Sequence, residues 1–299
     1  MNIHNDETNS IFETTISVPG LKQAIKILQI SDSHLCELNE ADEDLIRTHM
    51  ELDIFRVKAN VRNSARMFGS TLKAAEVRQA DSVVLTGDIM SFPSSANFEL
   101  VGTELEKLTV PYLYALGNHD WQFMHLEDWN DDIRARCYPK FHRYTQGNPA
   151  FQNLVLHGVN LISLDNSNYQ ITEEQLSFFQ AQVERNLPAL LFIHIPLYIP
   201  SLAPDVYHRW KAPIMLHSEG WTPERMSAWK IREADRATKE FHRLVTQGKS
   251  DNLIGIFCGH VHFHHRDMYR KDRYQYVAHP GYDGGYRWIH LTPDVQKKS

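Results

Sequence analysis

The chain has 299 residues, 42% of them hydrophobic and 23% charged, which is enough to bury a large core as one α/β domain or two small ones. A formal net charge of −6 argues against nucleic-acid binding held by phosphate contacts. Three cysteines without CxxC spacing argue against a disulfide framework or a structural zinc site and point to a reducing compartment.

In chain order, residues 1–10 are polar and mixed in charge, without the apolar core of a signal peptide. Residues 25–30 form an apolar run that predicts a buried strand ending at Ser31-Asp32. Residues 61–79 have helical composition and lead into a strand at 82–85, which ends at Gly87-Asp88. A second helix is predicted over 97–108. The run 111–116 then delivers Gly117-Asn118-His119-Asp120. The stretch 121–149 is irregular and rich in charge and aromatics. Residues 154–164 predict a hairpin turning at His157-Gly158. Thr172 and Gln175 make a capping box for a helix to residue 186. Residues 190–193 predict the strand that delivers His194, and 253–258 the strand that delivers Gly259-His260-Val261-His262. The tail, 274–291, predicts two strands separated by residues 281–285. The most apolar segment, 189–200, is too short to span a bilayer and holds His194 and two prolines. A soluble, cytoplasmic protein without a membrane partner is the expectation.

Apolar runs alternating with amphipathic stretches mark an α/β protein. Residues 35–60 and 198–231 fit no strand–helix rhythm, and each follows a strand that ends in metal-ligand residue types. They are expected to roof a site, because open α/β sheets place ligands beyond the carboxyl ends of their strands.

The chemistry lies in five short clusters: Asp32-Ser33-His34, Gly87-Asp88, Gly117-Asn118-His119-Asp120, His194 and Gly259-His260-Val261-His262. Each alone is weak: an Asp-x-His is usually a turn, and a lone histidine such as His194 is usually a satisfied core residue. Jointly, each behind an apolar run, they supply carboxylate and imidazole ligands for two adjacent metal ions. A strand end fixes the backbone, and alternate residues such as Asp32 and His34, or His260 and His262, point to the same side. Gly87, Gly117 and Gly259 are expected to permit the tight turns that aim the next side chain.

In this order the clusters resemble the calcineurin-like metallophosphoesterase superfamily, over about residues 25–265. The resemblance implies a four-layer αββα sandwich, with two mixed sheets face to face and helices on both outer faces. It implies a single domain over 1–299 with cap-like insertions near 35–60, 121–149 and 198–231. Carried over by position, one metal would be held by Asp32, His34, Asp88 and His262. The second would be held by Asp88, Asn118, His194 and His260, with Asp88 bridging. His119 matches the general acid for the leaving group and Asp120 the residue that orients it. Two divalent or mixed-valence ions (Mn, Fe or Zn), a bridging hydroxide and the carboxylates of Asp32 and Asp88 would leave the centre near about +1, suited to a small-molecule phosphoester. Ions about 3.5–4 Å apart can activate water and clamp the phosphoryl oxygens.

The implied function is phosphoester hydrolysis, as phosphodiesterase or phosphatase. A catalytically inactive scaffold of the same fold and a hydrolase of pyrophosphate-linked nucleotides are the alternatives. The purple-acid-phosphatase-like and cyclic-nucleotide-phosphodiesterase-like branches are resembled about equally. Outside the clusters, His264, His265, His279, Tyr282, Arg209 and Trp210 are candidates for substrate contacts, each with packing or a solvated strand end as the rival reading. Cys36 and Cys258 read as small buried hydrophobes.

Overall fold

A computed structural model describes residues 10–43, 63–123, 131–248 and 250–294. Within them the chain forms two mixed sheets. The first contains β1 (Ile11–Val18), β2 (Ile25–Ile30), β3 (Ser82–Thr86), β4 (Tyr112–Ala115) and β11 (Tyr286–Pro293), in the order β1-β11-β2-β3-β4. The second contains β5 (Phe151–Leu156), β6 (Val159–Leu164), β7 (Ala189–Phe192), β8 (Leu253–Cys258), β9 (His265–Arg270) and β10 (Arg273–Val277), in the order β5-β6-β7-β8-β10-β9. The helices are α1 (Ser64–Val77), α2 (Ser95–Leu105), α3 (Asp131–Phe141), α4 (Glu173–Glu184), α5 (Ala203–Trp210), α6 (Pro223–Ala228) and α7 (Arg236–Gln247).

Alternation along each strand sorts side chains between two layers. In β2 and β3, Ile27 and Val84 face the second sheet, while Leu28, Ile30, Val83 and Leu85 face helices. In β7, Leu190 and Phe192 face the first sheet, and Leu191 packs outward with Leu176 and Phe179 of α4 and Phe241 of α7. Phe68 and Leu72 of α1 and Val101 of α2 cover the other outer face. Strands sandwiched this way are apolar on both sides, which is why they read as continuous hydrophobic runs. The result is the four-layer αββα arrangement, with two mixed sheets as anticipated.

Register brings the strand ends together. Ile30 pairs with Leu85 and Thr86 with Ala115, so the loops after β2, β3 and β4 leave from one edge. In the second sheet Phe192 pairs with Phe257, and Val277 with Cys258. The residues following β7 and β8 therefore leave their sheet side by side.

The predicted elements are present with shifted boundaries. The helix expected over 97–108 spans Ser95–Leu105, because the Ser94 hydroxyl accepts from the Asn97 amide and starts it earlier. Thr172 and Gln175 form the full capping box. Three features depart from the sequence reading. The stretch 121–149 holds α3, with Asp131 and Asp132 in its first turn and Pro139 near its end. The stretch 198–231 holds the short helices α5 and α6. Strands β1 and β9 and helix α7 were not anticipated. Of the expected insertions, residues 44–60 of the first and 124–130 of the second lie outside the described residues. Among the described residues no helix is long and apolar enough to cross a membrane.

Candidate metal centre

The five clusters converge at the edge where both sheets end. One oxygen or nitrogen from each of Asp32, His34, Asp88 and His262 lies within 4.8 Å of the others, and the same holds for Asp88, His194 and His260. Both groups can hold a metal ion, and Asp88 belongs to both. Asn118 is buried in the turn beside them, 3% exposed, and offers an amide rather than a titratable ligand.

The loops are locked to one another before any ligand is considered. The Asp32 and His34 amides donate to the Gly87 and Asp88 carbonyls at 2.9 and 3.0 Å. The His260 amide donates to the Asp32 carboxylate at 3.0 Å. The His119 amide donates to Asp88 Oδ1 at 2.8 Å. Asp32, His34, Asp88, His260 and His262 all adopt positive φ, between 48° and 72°. Left-handed backbone at a non-glycine residue costs about 1–3 kcal/mol and persists only where surroundings enforce it, a pattern typical of functional sites.

The four imidazoles share one organisation. His34 Nε2 lies 3.1 Å from His262 Nε2, and His260 Nδ1 lies 3.2 Å from His194 Nε2. Each ring thus turns one nitrogen inward and sets the other on a partner. For His194 the outward Nδ1 is 2.8 Å from the Thr86 carbonyl, which fixes a proton there and aims Nε2 at the Asp88 carboxylate. For His34 the partner is Ser91 Oγ at 3.3 Å, for His262 the Tyr282 hydroxyl at 3.4 Å, and for His260 the Tyr169 hydroxyl at 2.6 Å. Histidines that bind metals are held in this way by their remote nitrogen.

Electrostatics follow from burial and proximity. Burial alone would raise the Asp88 carboxyl, but His194 and His119 hold it well below the usual carboxylate range. Burial would lower His194, yet Asp88, 3.2 Å away, pushes it up to about 9. His34 and His260 are lowered by burial and by neighbouring imidazoles, which keeps them in the neutral form that coordinates metals.

His119 sits at the rim, 9% exposed, with Nδ1 3.1 Å from the Ser91 carbonyl. Burial lowers its pKa, against the pull of Asp88 and of that carbonyl. The Asp120 carboxylate accepts from the amides of Asp88, Met90 and Gly117 at 2.8–3.0 Å, so it staples the two loops together. Burial and Asp88 push its carboxyl up to about 7.

The glycines act differently from the expectation. Gly87 does take positive φ, 83°. Gly117 and Gly259 do not; they make room for a carboxylate supplied by the loop after another strand. A Cβ on Gly117 would strike the Asp88 carboxylate, and one on Gly259 would strike Asp32 Oδ2 and Ser31 Oγ.

The outlying candidates divide. Tyr282 lies over His262 and His34, with ring centroids at 5.4 and 5.7 Å; burial and Asp32 raise its pKa, and Arg209 beside it pulls the other way. The Trp210 indole donates to the Val261 carbonyl at 2.8 Å and meets the His262 ring edge-on at 5.3 Å. His264 turns away: it stacks on Phe12 and faces Arg287, and burial with that guanidinium lowers it to about 3. His265 pairs with Asp267 and Asp205, and His279 with Asp283. Cys258 is fully buried and Cys36 half-buried. Thr86, Ser91, Asn166 and Tyr169 escaped the sequence reading. The available signal was the carboxyl end of β6, where Asp165-Asn166-Ser167-Asn168-Tyr169 leaves the same edge without a recognised cluster. Asn166 Oδ1 accepts from the amides of His194 and Ile195.

Comparison with known proteins gives a consistent answer. The sequence pattern of the family described as calcineurin-like phosphoesterase matches residues 25–264. A probable cyclic nucleotide phosphodiesterase of Fibrobacter succinogenes is 26% identical over 249 residues, covering 81% of this chain and 74% of that protein. A probable glycerophosphodiester phosphodiesterase of Arcobacter nitrofigilis is 22% identical over 243 residues, covering 79% and 71%. Among solved structures, a dimetal phosphatase from Danio rerio superposes with a TM-score of 0.56 at 13% identity, over 87% of this chain and 88% of that one. A purple acid phosphatase from yellow lupin (Lupinus luteus) gives 0.50 at 12% identity, over 87% and 44%. At such identities the structural likeness speaks for the fold alone. Because the family match spans the region that carries all five clusters, the chain belongs to the calcineurin-like phosphoesterase family and is a metal-dependent phosphoester hydrolase.

Proposed function

We propose that the protein hydrolyses a small phosphodiester at a dinuclear centre. One ion is held by Asp32, His34, Asp88 and His262, and the other by Asp88, Asn118, His194 and His260. The observation that carries this reading is the pair of ligand groups sharing Asp88. The donor set suits borderline ions of the Mn, Fe and Zn kind: buried carboxylate oxygens and imidazole nitrogens, with inward ring nitrogens only 3.1 and 3.2 Å apart. When bound, two such ions supply an activated water and neutralise charge on the phosphoryl oxygens.

The chain's own residues do the rest. Asp88 fixes the spacing of the two groups, and Asp120 holds its loop in register with the 117–120 turn. His119 is tied through Nδ1 to the Ser91 carbonyl, so its imidazolium form, protonated at Nε2 as well and favoured by the nearby Asp88 carboxylate, is the one that delivers a proton to the departing alkoxide. Tyr282 and Trp210 wall the centre beside His262. A diester is favoured over a monoester because both curated relatives described above carry phosphodiesterase names.

Turnover of bis-p-nitrophenyl phosphate and p-nitrophenyl phosphate, with Mn²⁺, Fe²⁺, Zn²⁺ or Co²⁺, tests the proposal. The diester is expected to be the better substrate, and turnover of neither with any ion would overturn it. His119→Ala is expected to lower turnover strongly for alkyl leaving groups and much less for an activated phenol. Equal loss for both would remove the general-acid role.

A further inference from the structure

Of the four imidazoles, His260 has the tightest hold on its remote nitrogen. The Tyr169 hydroxyl stands 2.6 Å from His260 Nε2, against 3.3 Å for Ser91 on His34 and 3.4 Å for Tyr282 on His262. Both groups are buried, at 4% and 7% exposure. The opposite nitrogen, Nδ1, points at His194 Nε2 from 3.2 Å, so the ring lies between the phenol and the second ligand group. A neutral imidazole that offers Nδ1 to an ion must carry its proton on Nε2, and that N–H then donates to the phenol oxygen.

Tyr169 is itself placed with unusual care. Its φ is 61°, a left-handed conformation that an aromatic residue rarely adopts. It is held there by its amide bond to the Asn166 carbonyl at 2.9 Å and by the Trp221 ring, edge-on at 6.4 Å. Asn166 also grips the backbone of His194. One short segment after β6 therefore holds both histidines of the second group, His260 by its ring and His194 by its backbone amide.

We infer that Tyr169 is a positioning residue that fixes the tautomer and aim of His260, and so sets the affinity of the ion held by Asp88, His194 and His260 separately from that of the other ion. This rests on the ligand assignment proposed above. Remote-nitrogen partners of metal-binding histidines are typically worth about 10- to 100-fold in affinity. Because its hydroxyl sits on a histidine of the second group, Tyr169 gives the chain a means of setting the two affinities apart.

The experiment is a titration of the full chain, stripped by chelation, with Co²⁺, followed by calorimetry and by the visible absorption of each bound ion. Tyr169→Phe removes only the hydroxyl. One of two binding steps should weaken about 10- to 100-fold with a changed absorption band, the other should stay within about twofold, and the unfolding temperature of the stripped protein should not move. His260→Ala should abolish that same step. Two wild-type affinities in Tyr169→Phe would overturn the inference. So would equal weakening of both steps together with a lowered unfolding temperature, the mark of lost packing. If the wild type binds fewer than two ions, or His260→Ala titrates like wild type, the ligand assignment fails instead, and the two failures are told apart.

Discussion

Gly259→Ala separates the demands of the metal centre from those of the fold. The new Cβ would overlap Asp32 Oδ2 and Ser31 Oγ. Neither can swing aside freely: Ser31 Oγ donates to the Thr86 carbonyl at 2.9 Å, and the Asp32 carboxylate accepts from the His260 amide at 3.0 and 3.1 Å. Residue 259 cannot retreat either, because its amide donates to the His194 carbonyl at 2.9 Å. Relief requires displacement of about 1.5 Å to regain ordinary contact distance, several times the roughly 0.2 Å that metal–ligand bonds tolerate. Overpacking costs about 1–3 kcal/mol, offset by about 0.4–1 kcal/mol from the stiffer unfolded chain. A fall in Tm of roughly 2–4 °C is expected. Loss of Asp32 as a well-placed ligand should cost about 3 kcal/mol, roughly a hundredfold in affinity for one ion. Gly158→Ala is the comparator. Its φ is 86° and nothing lies within 4 Å of the new Cβ, so about 1–2 kcal/mol of backbone strain should leave metal binding untouched. Differential scanning calorimetry and metal titration on both variants give the answer. Wild-type affinity for both ions in Gly259→Ala would refute the reasoning.

Two further outcomes concern the fold. Gly69 lies inside α1 without positive φ, and a Cβ there would meet only the mobile carboxylate of Glu104 at 3.3 Å. Gly69→Ala is expected to stabilise by about 0.5–1 kcal/mol in denaturant unfolding. Asp42 is 2% exposed and accepts from the amides of Ser95 and Ala96, the first turn of α2, at 2.8 and 3.2 Å. Burial would raise its pKa, but those amides and that of Asn39 lower it below the ordinary value. A depressed carboxyl pKa contributes stability above the unfolded value of about 3.9 and loses it as pH falls through the folded value. Asp42→Asn should therefore cost about 0.5–1 kcal/mol near neutral pH, with the gap closing below about pH 4. An unchanged gap at both ends of that range would count against the charged form as the cap.

What the sequence shows of this fold depends on burial. Strands β2, β3 and β8 are covered on both faces, so their apolar runs are unmistakable. Strand β1 buries only Thr14 and Val18, and β9 reads His-Arg-Asp-Met-Tyr-Arg with two buried residues. Both are edge strands, polar as edges commonly are, and neither carries a hydrophobic signature. Helix α7 has no counterpart in the sequence reading, although Asp235 caps it by accepting from the Thr238 amide.

The centre divides along the same physical lines. Its proposed ligands were legible because coordination admits few residue types and strand ends place them. The residues that orient those ligands were not. Thr86 acts through a carbonyl that every residue owns, Ser91 through a hydroxyl and a carbonyl, and Asn166 through an ordinary amide. Gly117 and Gly259 were legible as glycines but not for the right reason. A sequence shows a bend, whereas the neighbour that needs the missing Cβ comes from a strand far along the chain.

The strand order has a consequence for synthesis. The last strand, β11, lies between β1 and β2, so β1 has no neighbour in its sheet until β11 arrives. Buried Arg287 on β11 donates to Thr14 on β1 across 273 positions of sequence. The loop closure that joins the edge of the first sheet is thus among the longest the chain can make, and such contacts form late. As the chain leaves the ribosome, the loops bearing Asp32, Asp88 and His194 are made well before the strand that completes their sheet. The ribosome must therefore pass residue 293 before the β1 edge can close. An arrested chain lacking residues 286–293 should expose that unpaired edge to proteolysis and to association with its own copies.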